Sequence, residues 1–111
     1  MVAPPDTSEF RVAVEVLPTV VLVLVAGEVD LATAPAVAEA AHRGAAEANG
    51  DSPLVLDLSA VDYMDSSGLR MLNELRTGFG DRLALHRPSH AVVRVLEVTG
   101  MAAHFSRVEA Y

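Results

Sequence analysis

Apolar residues occupy every second position near the start of the chain. In residues 10–16, Val12, Val14 and Val16 alternate with charged or small residues, a pattern typical of a strand with one buried face. Residues 20–25 are apolar without interruption and rich in β-branched side chains, which predicts an interior strand covered on both faces. A short turn at residues 17–19 joins the two segments, so we expect them to pair as an antiparallel hairpin.

Helical and apolar segments alternate through the rest of the chain. Residues 26–30 should end the second strand, and the alanine-rich residues 34–48 should form a helix with Thr33 as its N-cap and a thin inner face. Residues 54–58, 82–86 and 105–108 predict strands, separated by a helix that stops at residues 77–80 and by another that ends near Gly100. Alternation of this kind indicates parallel neighbouring strands. The chain therefore predicts an α/β fold whose mixed sheet has an antiparallel N-terminal hairpin and otherwise parallel strands.

The domain organisation follows from length and composition. Residues 1–9 contain two prolines and no periodicity, which predicts a flexible N-terminal tail. Residues 10–111 show no repeat and no low-complexity segment, so we expect them to form a single domain. A chain of 111 residues that is 51% hydrophobic is long enough to bury a core.

Two hydroxyls and a carboxylate lie where a predicted apolar strand is followed by a predicted helix. These side chains belong to Asp65, Ser66 and Ser67. The unpaired N–H groups and the dipole at a helix start favour a negative group, so a phosphate on a serine there would change the surface with little harm to the fold. The same residues equally fit a simple capping role. Asp30 and Asp62 are expected near Asp65 at the carboxyl edge of the sheet, where α/β proteins build sites.

A family resemblance appears at this loop. The string Met-Asp-Ser-Ser-Gly-Leu from Met64 to Leu69, with Gly-Glu-Val-Asp at residues 27–30, resembles the STAS family of sulfate transporter and anti-sigma factor antagonist domains. Within that family, the chain is most similar to the stand-alone bacterial anti-sigma factor antagonists. The resemblance covers residues 10–108 and implies helices packed mainly against one face of the sheet.

The resemblance also implies a function and its partners. An unphosphorylated antagonist would bind an anti-sigma factor that is also a serine kinase, and would thereby free a sigma factor. Phosphorylation of Ser66 would end that interaction, and a PP2C-type phosphatase would restore it. In the family, the positions of Asp30 and Thr33 lie near the phosphorylated serine and contact the kinase, although both residues also fit a turn and a cap. The other residues expected to bind the partner flank Ser66: Met64, Asp65, Ser67, Gly68 and Leu69. Of these, Met64 and Leu69 are apolar and could instead belong to the core.

Charge and composition exclude several classes of function. The net charge is −7, from 15 acidic residues against 8 basic ones, which argues against binding nucleic acid or an anionic membrane surface. The longest apolar run, residues 20–26, is too short to cross a bilayer, so no direct membrane insertion is expected. The absence of cysteine excludes disulfides and thiolate sites and fits a cytoplasmic location.

No enzymatic chemistry is expected. Asp57 ends the predicted third strand and so resembles the phospho-accepting aspartate of a receiver domain, but receivers need an active-site lysine and the chain has none. The same absence removes P-loop and Schiff-base chemistry. The four histidines are scattered, and Arg87-Pro88 separates His86 from His90, so they cannot form a metal-binding pair on one helix. We therefore expect no catalytic residue, no metal and no cofactor.

Two other functions remain open. In the first, the chain is a STAS subunit of a membrane lipid-transport complex, and the same surface docks constitutively on an ATPase subunit. In the second, it is a sensor domain for a small ligand or nucleotide, although it has no glycine-rich loop to hold a phosphate.

Overall fold

A computed structural model describes residues 9–48 and 50–111 of the chain. Apart from residue 9, the predicted tail of residues 1–9 lies outside the described residues. Within these residues there are five strands and three α-helices: β1 (Arg11–Val16), β2 (Val21–Val29), α1 (Ala34–Glu47), β3 (Leu54–Met64), α2 (Ser66–Phe79), β4 (Leu83–His86), α3 (His90–Val98) and β5 (Ser106–Val108). Short 3₁₀ helices at Gly80–Arg82 and Ala102–His104 precede β4 and β5. The strands form one sheet in the order β1-β2-β3-β4-β5, with β1 antiparallel to β2 and the other pairs parallel, which confirms the predicted fold class.

All three helices pack against the same face of the sheet. Alternate residues of β2, β3 and β4 point into one core together with buried residues of each helix, such as Val37, Leu72 and Leu96. The opposite face carries a smaller cluster of Val20, Leu22 and Val55, to which no helix contributes among the described residues. The resemblance-based expectation that the helices lie mainly on one face is therefore confirmed.

The first helix lies unusually close to the sheet. A Cβ atom placed on Gly44 would be 2.8 Å from the Cγ1 atoms of both Val14 and Val21. Carbon atoms in contact prefer separations of about 3.5–4.0 Å, so no larger residue fits at this position without movement. The thin inner face predicted for this helix is confirmed.

Strands β2 and β3 are both longer than predicted. The second strand does end within residues 26–30, as predicted, but only at Val29, with Gly27 at a φ of 89°. The third strand, predicted to end at Leu58, continues to Met64. Their register shifts twice, between Leu24 and Ala26 and between Gly27 and Glu28, and each shift adds one residue on β3. These bulges interrupt the two-residue periodicity of β3, so its hydrophobic pattern ends before the strand does.

The second helix also extends further than predicted, through residues 77–79 to Phe79, and ends at Gly80 with a φ of 59°. The third helix is capped by the Ser89 hydroxyl, and Gly100 follows its end with a φ of 74°, as predicted. Within the described residues, no helix is both long and apolar enough to cross a membrane.

Candidate functional site

Asp65 joins the end of β3 to the start of α2. Its Oδ1 atom accepts hydrogen bonds from the N–H groups of Ser67, at 2.9 Å, and Gly68, at 3.3 Å. These are N–H groups of the first helical turn, which have no carbonyl partner inside the helix. The Asp65 N–H donates to the carbonyl of Val29 at the end of β2. Asp65 is therefore an N-cap that also ties the start of α2 to two neighbouring strands.

Ser66 is the first residue of α2, and its side chain is exposed. Among the residues that the structure describes, none forms a hydrogen bond with its hydroxyl. Capping is carried out by Asp65 and not by Ser66, so the hydroxyl has no structural task that a modification would interrupt. Ser67 is half-buried and turns towards a groove between α1 and α2. The two adjacent serines therefore differ in accessibility, and Ser66 is the one open to solvent.

Gly68 lets the helix start lie directly against the strand ends. A Cβ atom on Gly68 would be 2.6 Å from Cγ of Met64 and 3.1 Å from Cγ1 of Val29. Met64 itself is only 5% exposed and belongs to the core. The expected partner contact of the Met64 side chain is therefore corrected: the side chain points inwards, where it supports α2. Leu69 is half-buried and packs against the same core.

Asp30 and Thr33 close the turn between β2 and α1. The Asp30 Oδ1 atom accepts from the N–H groups of Ala32, at 3.0 Å, and Thr33, at 3.1 Å. The Thr33 hydroxyl donates to the carbonyl of Glu28 at 2.8 Å and accepts from the Asp30 N–H at 2.9 Å. Thr33 occupies the N-cap position, but its side chain makes no capping bond to α1. The predicted position of Thr33 as the N-cap residue is confirmed, but its hydroxyl bonds backward to the strand and not to an N–H group of α1.

The carboxylates of this region lie along the predicted edge of the sheet. Val29 and Met64 are partners in the β2–β3 register, so Asp30 and Asp65 directly follow paired residues of adjacent parallel strands. Asp62 is exposed and lies on a separate groove beside α3, which Tyr63 and Arg94 also line. Asp30 and Asp65 thus flank the strand ends from which Ser66 projects, and Asp62 lies on the side towards α3.

A groove of about 240 Å³ opens between the start of α1 and α2. Its lining combines apolar and charged side chains: Leu31, Ala34, Pro35, Ser67, Arg70, Met71 and Glu74. Leu31 is 79% exposed, the largest exposed fraction of any leucine here. Sequence reasoning missed Leu31 and Arg70. Leu31 lies in a turn outside every periodic segment, although an isolated apolar residue after Asp30 was a usable signal.

Asp57 and His86 do not line the groove beside Ser66. Asp57 was predicted to end the third strand, but it lies within β3. Its Oδ1 atom accepts hydrogen bonds from the N–H and the hydroxyl of Ser59. His86 is buried, with Nδ1 2.9 Å from the carbonyl oxygen of Val108 and its ring edge-on to Tyr111. Within the described residues, no three His, Asp or Glu side chains are placed so that they could hold a metal ion.

The chain is similar to one known protein family and to solved structures of anti-sigma factor antagonists. The STAS domain family matches residues 11–110 of the chain. A crystal structure of an anti-sigma factor antagonist from Mycobacterium paratuberculosis is 29% identical, with a TM-score of 0.77 over 99% of this chain and 92% of that one.

Two further structures share the fold at lower identity. The anti-sigma factor antagonist SpoIIAA in its unphosphorylated form is 19% identical, with a TM-score of 0.65 over 90% of this chain and 88% of that one. A candidate antagonist from Thermotoga maritima is 18% identical, with a TM-score of 0.74 over 89% and 86% of the two chains. No curated protein sequence matches the chain.

Proposed function

Because this chain belongs to the STAS domain family, we propose that it is an anti-sigma factor antagonist controlled by phosphorylation of Ser66. In the unphosphorylated state it binds an anti-sigma factor that is also a serine kinase, and a sigma factor is released to direct transcription in the cytoplasm. Phosphorylation of Ser66 by that kinase ends the interaction. A PP2C-type phosphatase removes the phosphate and restores binding. The chain itself catalyses neither step.

The observation that carries this proposal is the exposed, unengaged hydroxyl of Ser66 on a rigid support. The hydroxyl projects from the first residue of α2, and the cap at Asp65 and the tight packing at Gly68 fix that residue's backbone. A kinase can reach the oxygen without unfolding any element. A phosphatase can reach the phosphate in the same way.

Charge supplies the switching mechanism. A phosphate on Ser66 adds about −1.5 to −2 charges at neutral pH beside the carboxylates of Asp30 and Asp65. The positive end of the helix dipole at the start of α2 tolerates this charge, so the fold persists. A like-charge clash within an interface can cost several kcal/mol, enough to dissociate a complex of ordinary affinity. Arg70 lies one helical turn beyond Ser66 and can offset only part of the added charge.

The groove beside Ser66 supports the assignment of a partner surface. Leu31 and Pro35 supply exposed apolar area from the start of α1, and Ser67, Arg70 and Glu74 supply polar groups from α2. In this proposal, Asp30 and Thr33 hold the turn that exposes Leu31 to the partner. Ser67 and the Gly68 backbone form the opposite wall of the groove. Leu69 contributes from its exposed part.

The test is a kinase reaction followed by a binding measurement. The protein is incubated with candidate anti-sigma kinases and ATP, and any phosphate is located by mass spectrometry. We expect modification at Ser66 and none in Ser66→Ala. In a titration with the kinase, Ser66→Ala should bind like wild type, and Ser66→Asp should bind at least tenfold more weakly.

A matched control separates position from charge. Ser106 is exposed on β5, two strands away from β3, so Ser106→Asp adds the same charge far from the site. It should bind like wild type. If Ser66→Asp also binds like wild type, charge at this position is not the off signal. A partner that binds equally in both states would instead favour constitutive docking, as in the lipid-transport alternative.

A further inference from the structure

Strand β1 forms one edge of the sheet. Among the described residues it pairs only with β2, so its outer side faces no other strand. Arg11, Ala13 and Glu15 are exposed along it. The one ion pair between described residues joins Arg43 to Glu39, so neither Arg11 nor Glu15 forms an ion pair with another described residue. An unpaired edge strand is a template for pairing with another strand.

The hydrogen bonds around the hairpin identify which backbone groups of β1 are free. The N–H of Leu17 donates to the carbonyl of Val20, whereas the N–H of Val21 donates away from β1, to the carbonyl of Pro53. Residues of an antiparallel strand alternate between bonding to their partner strand and pointing away from it. Because Leu17 bonds to its partner strand, every second residue before it does so too, and Ala13 is therefore hydrogen-bonded to β2. The residues between, Val12 and Val14, direct their N–H and C=O groups outwards.

We propose that two copies of this chain associate edge to edge through antiparallel pairing of their β1 strands about a two-fold axis at Ala13. In this register Val12 of one copy pairs with Val14 of the other and exchanges backbone hydrogen bonds, as does Val14 with Val12. Ala13 faces Ala13, and Arg11 of each copy lies directly opposite Glu15 of the other.

Charge complementarity is what selects a second copy and this register. The segment from Arg11 to Glu15 has opposite charges at equal distances from Ala13, so it is complementary to itself when reversed. A shift by two residues in either direction would place Arg11 and Glu15 opposite other residues, and parallel pairing would place like charges side by side. Opposite charges directly across an antiparallel pair stabilise it, and like charges destabilise it.

The contact is small, so the association should be weak and visible only at high protein concentration. The net charge of −7 on each copy opposes it, but salt near 0.15 M screens charges beyond about 8 Å and leaves the two directly opposed pairs effective. The two-fold axis reverses the strand direction between copies. The two Ser66 sites would therefore lie at opposite ends of a continuous sheet, each free to bind its own partner.

Sedimentation equilibrium across a wide concentration range tests the proposal with the full chain at 0.15 M salt. Wild type should show a monomer–dimer equilibrium. Arg11→Glu and Glu15→Arg each place like charges opposite one another twice per dimer, and each should raise the dissociation constant at least tenfold. The double variant with both substitutions restores opposite charges and should regain most of the wild-type association. Circular dichroism checks that all variants fold.

Amide hydrogen exchange provides an independent measurement. The N–H groups of Val12 and Val14 should gain protection as protein concentration rises, and the N–H of Ala13, which bonds to β2, should stay protected throughout. A wild type that remains monomeric at millimolar concentration would overturn the proposal, as would a double variant weaker than both single variants. Concentration-independent protection of Val12 and Val14 would assign the edge to a segment of the same chain and also overturn it. Ser66→Ala should associate like wild type, so this result is separate from the switch.

Discussion

Replacing Gly68 by alanine tests whether the start of α2 is locked against the strand ends. The added Cβ atom would lie 2.6 Å from Cγ of Met64, about 1 Å closer than a normal carbon contact. The side chain of Met64 is buried, so it has little room to withdraw. Overpacking of this kind costs about 1–3 kcal/mol. Alanine regains up to about 1 kcal/mol over glycine within a helix, so we expect a net loss of about 1–2 kcal/mol.

Gly78 offers a matched control in the same helix. A Cβ atom there would meet nothing within 4 Å, so Gly78→Ala should be neutral or stabilise by up to about 1 kcal/mol. Both variants make the same chemical change, and the difference in their unfolding free energies therefore measures the steric contact. Urea denaturation monitored by circular dichroism gives both values. For a domain of this size, we expect Gly68→Ala to melt at least about 4 °C below Gly78→Ala.

A double-variant cycle identifies the atom responsible. Met64→Ala alone should destabilise by about 2–5 kcal/mol, because it leaves a cavity in the core. If the contact between Met64 and the new methyl group is the cause, the double variant should be less destabilised than the sum of the two single variants. Strict additivity would contradict this explanation. A Gly68→Ala variant as stable as Gly78→Ala would refute the whole argument that the helix start is locked.

Three further changes test the hydrogen bonds and packing described above. Asp65→Ala removes the acceptor for two N–H groups and should cost about 1 kcal/mol in urea denaturation, whereas Asp65→Asn keeps a capping oxygen and should cost less. Thr33→Val leaves the two backbone groups that its hydroxyl bridges without that partner; it should cost about 1–2 kcal/mol and raise amide exchange in the turn before α1. Gly44→Ala forces a methyl group against Val14 and Val21, so its melting temperature should fall; an increase would show that α1 can move away from the sheet.

The sequence predicted the elements of this fold better than their ends. Alternation in residues 10–16 and the continuous apolar run after Val20 identified the hairpin, because β1 alternates between exposed and half-buried residues and β2 begins with consecutive buried residues. Beyond Leu58 the bulges of β3 expose Ser59 and Ala60 consecutively and then bury Val61, a pattern that no simple period describes. The last six residues of that strand were therefore read as a loop.

Some residues of the candidate site could be predicted from the sequence and others could not. Local chemistry located Asp65 and Ser66, because a capping carboxylate and a hydroxyl at a strand-to-helix junction are visible in the sequence. It could not distinguish Met64 as a core residue from Met64 as a contact residue, because an apolar side chain at the end of a strand fits either role until the packing of α2 against that end is known. The groove that contains Leu31 and Arg70 was also invisible, since it forms only when two helices distant in sequence lie side by side.

The two extra residues in β3 also bear on how this protein can vary through evolution. Each bulge takes up one extra residue of β3 without turning over the segment that follows, since Gly27 and Val29 still pair with Val61 and Met64. Loss of one bulge residue would therefore remove that bulge and leave the methionine in the core and the aspartate after it at the start of the helix. Relatives that keep the site should accordingly differ in length at these two bulges more readily than in the regularly paired part of the strand, where a one-residue change turns side chains to the opposite face.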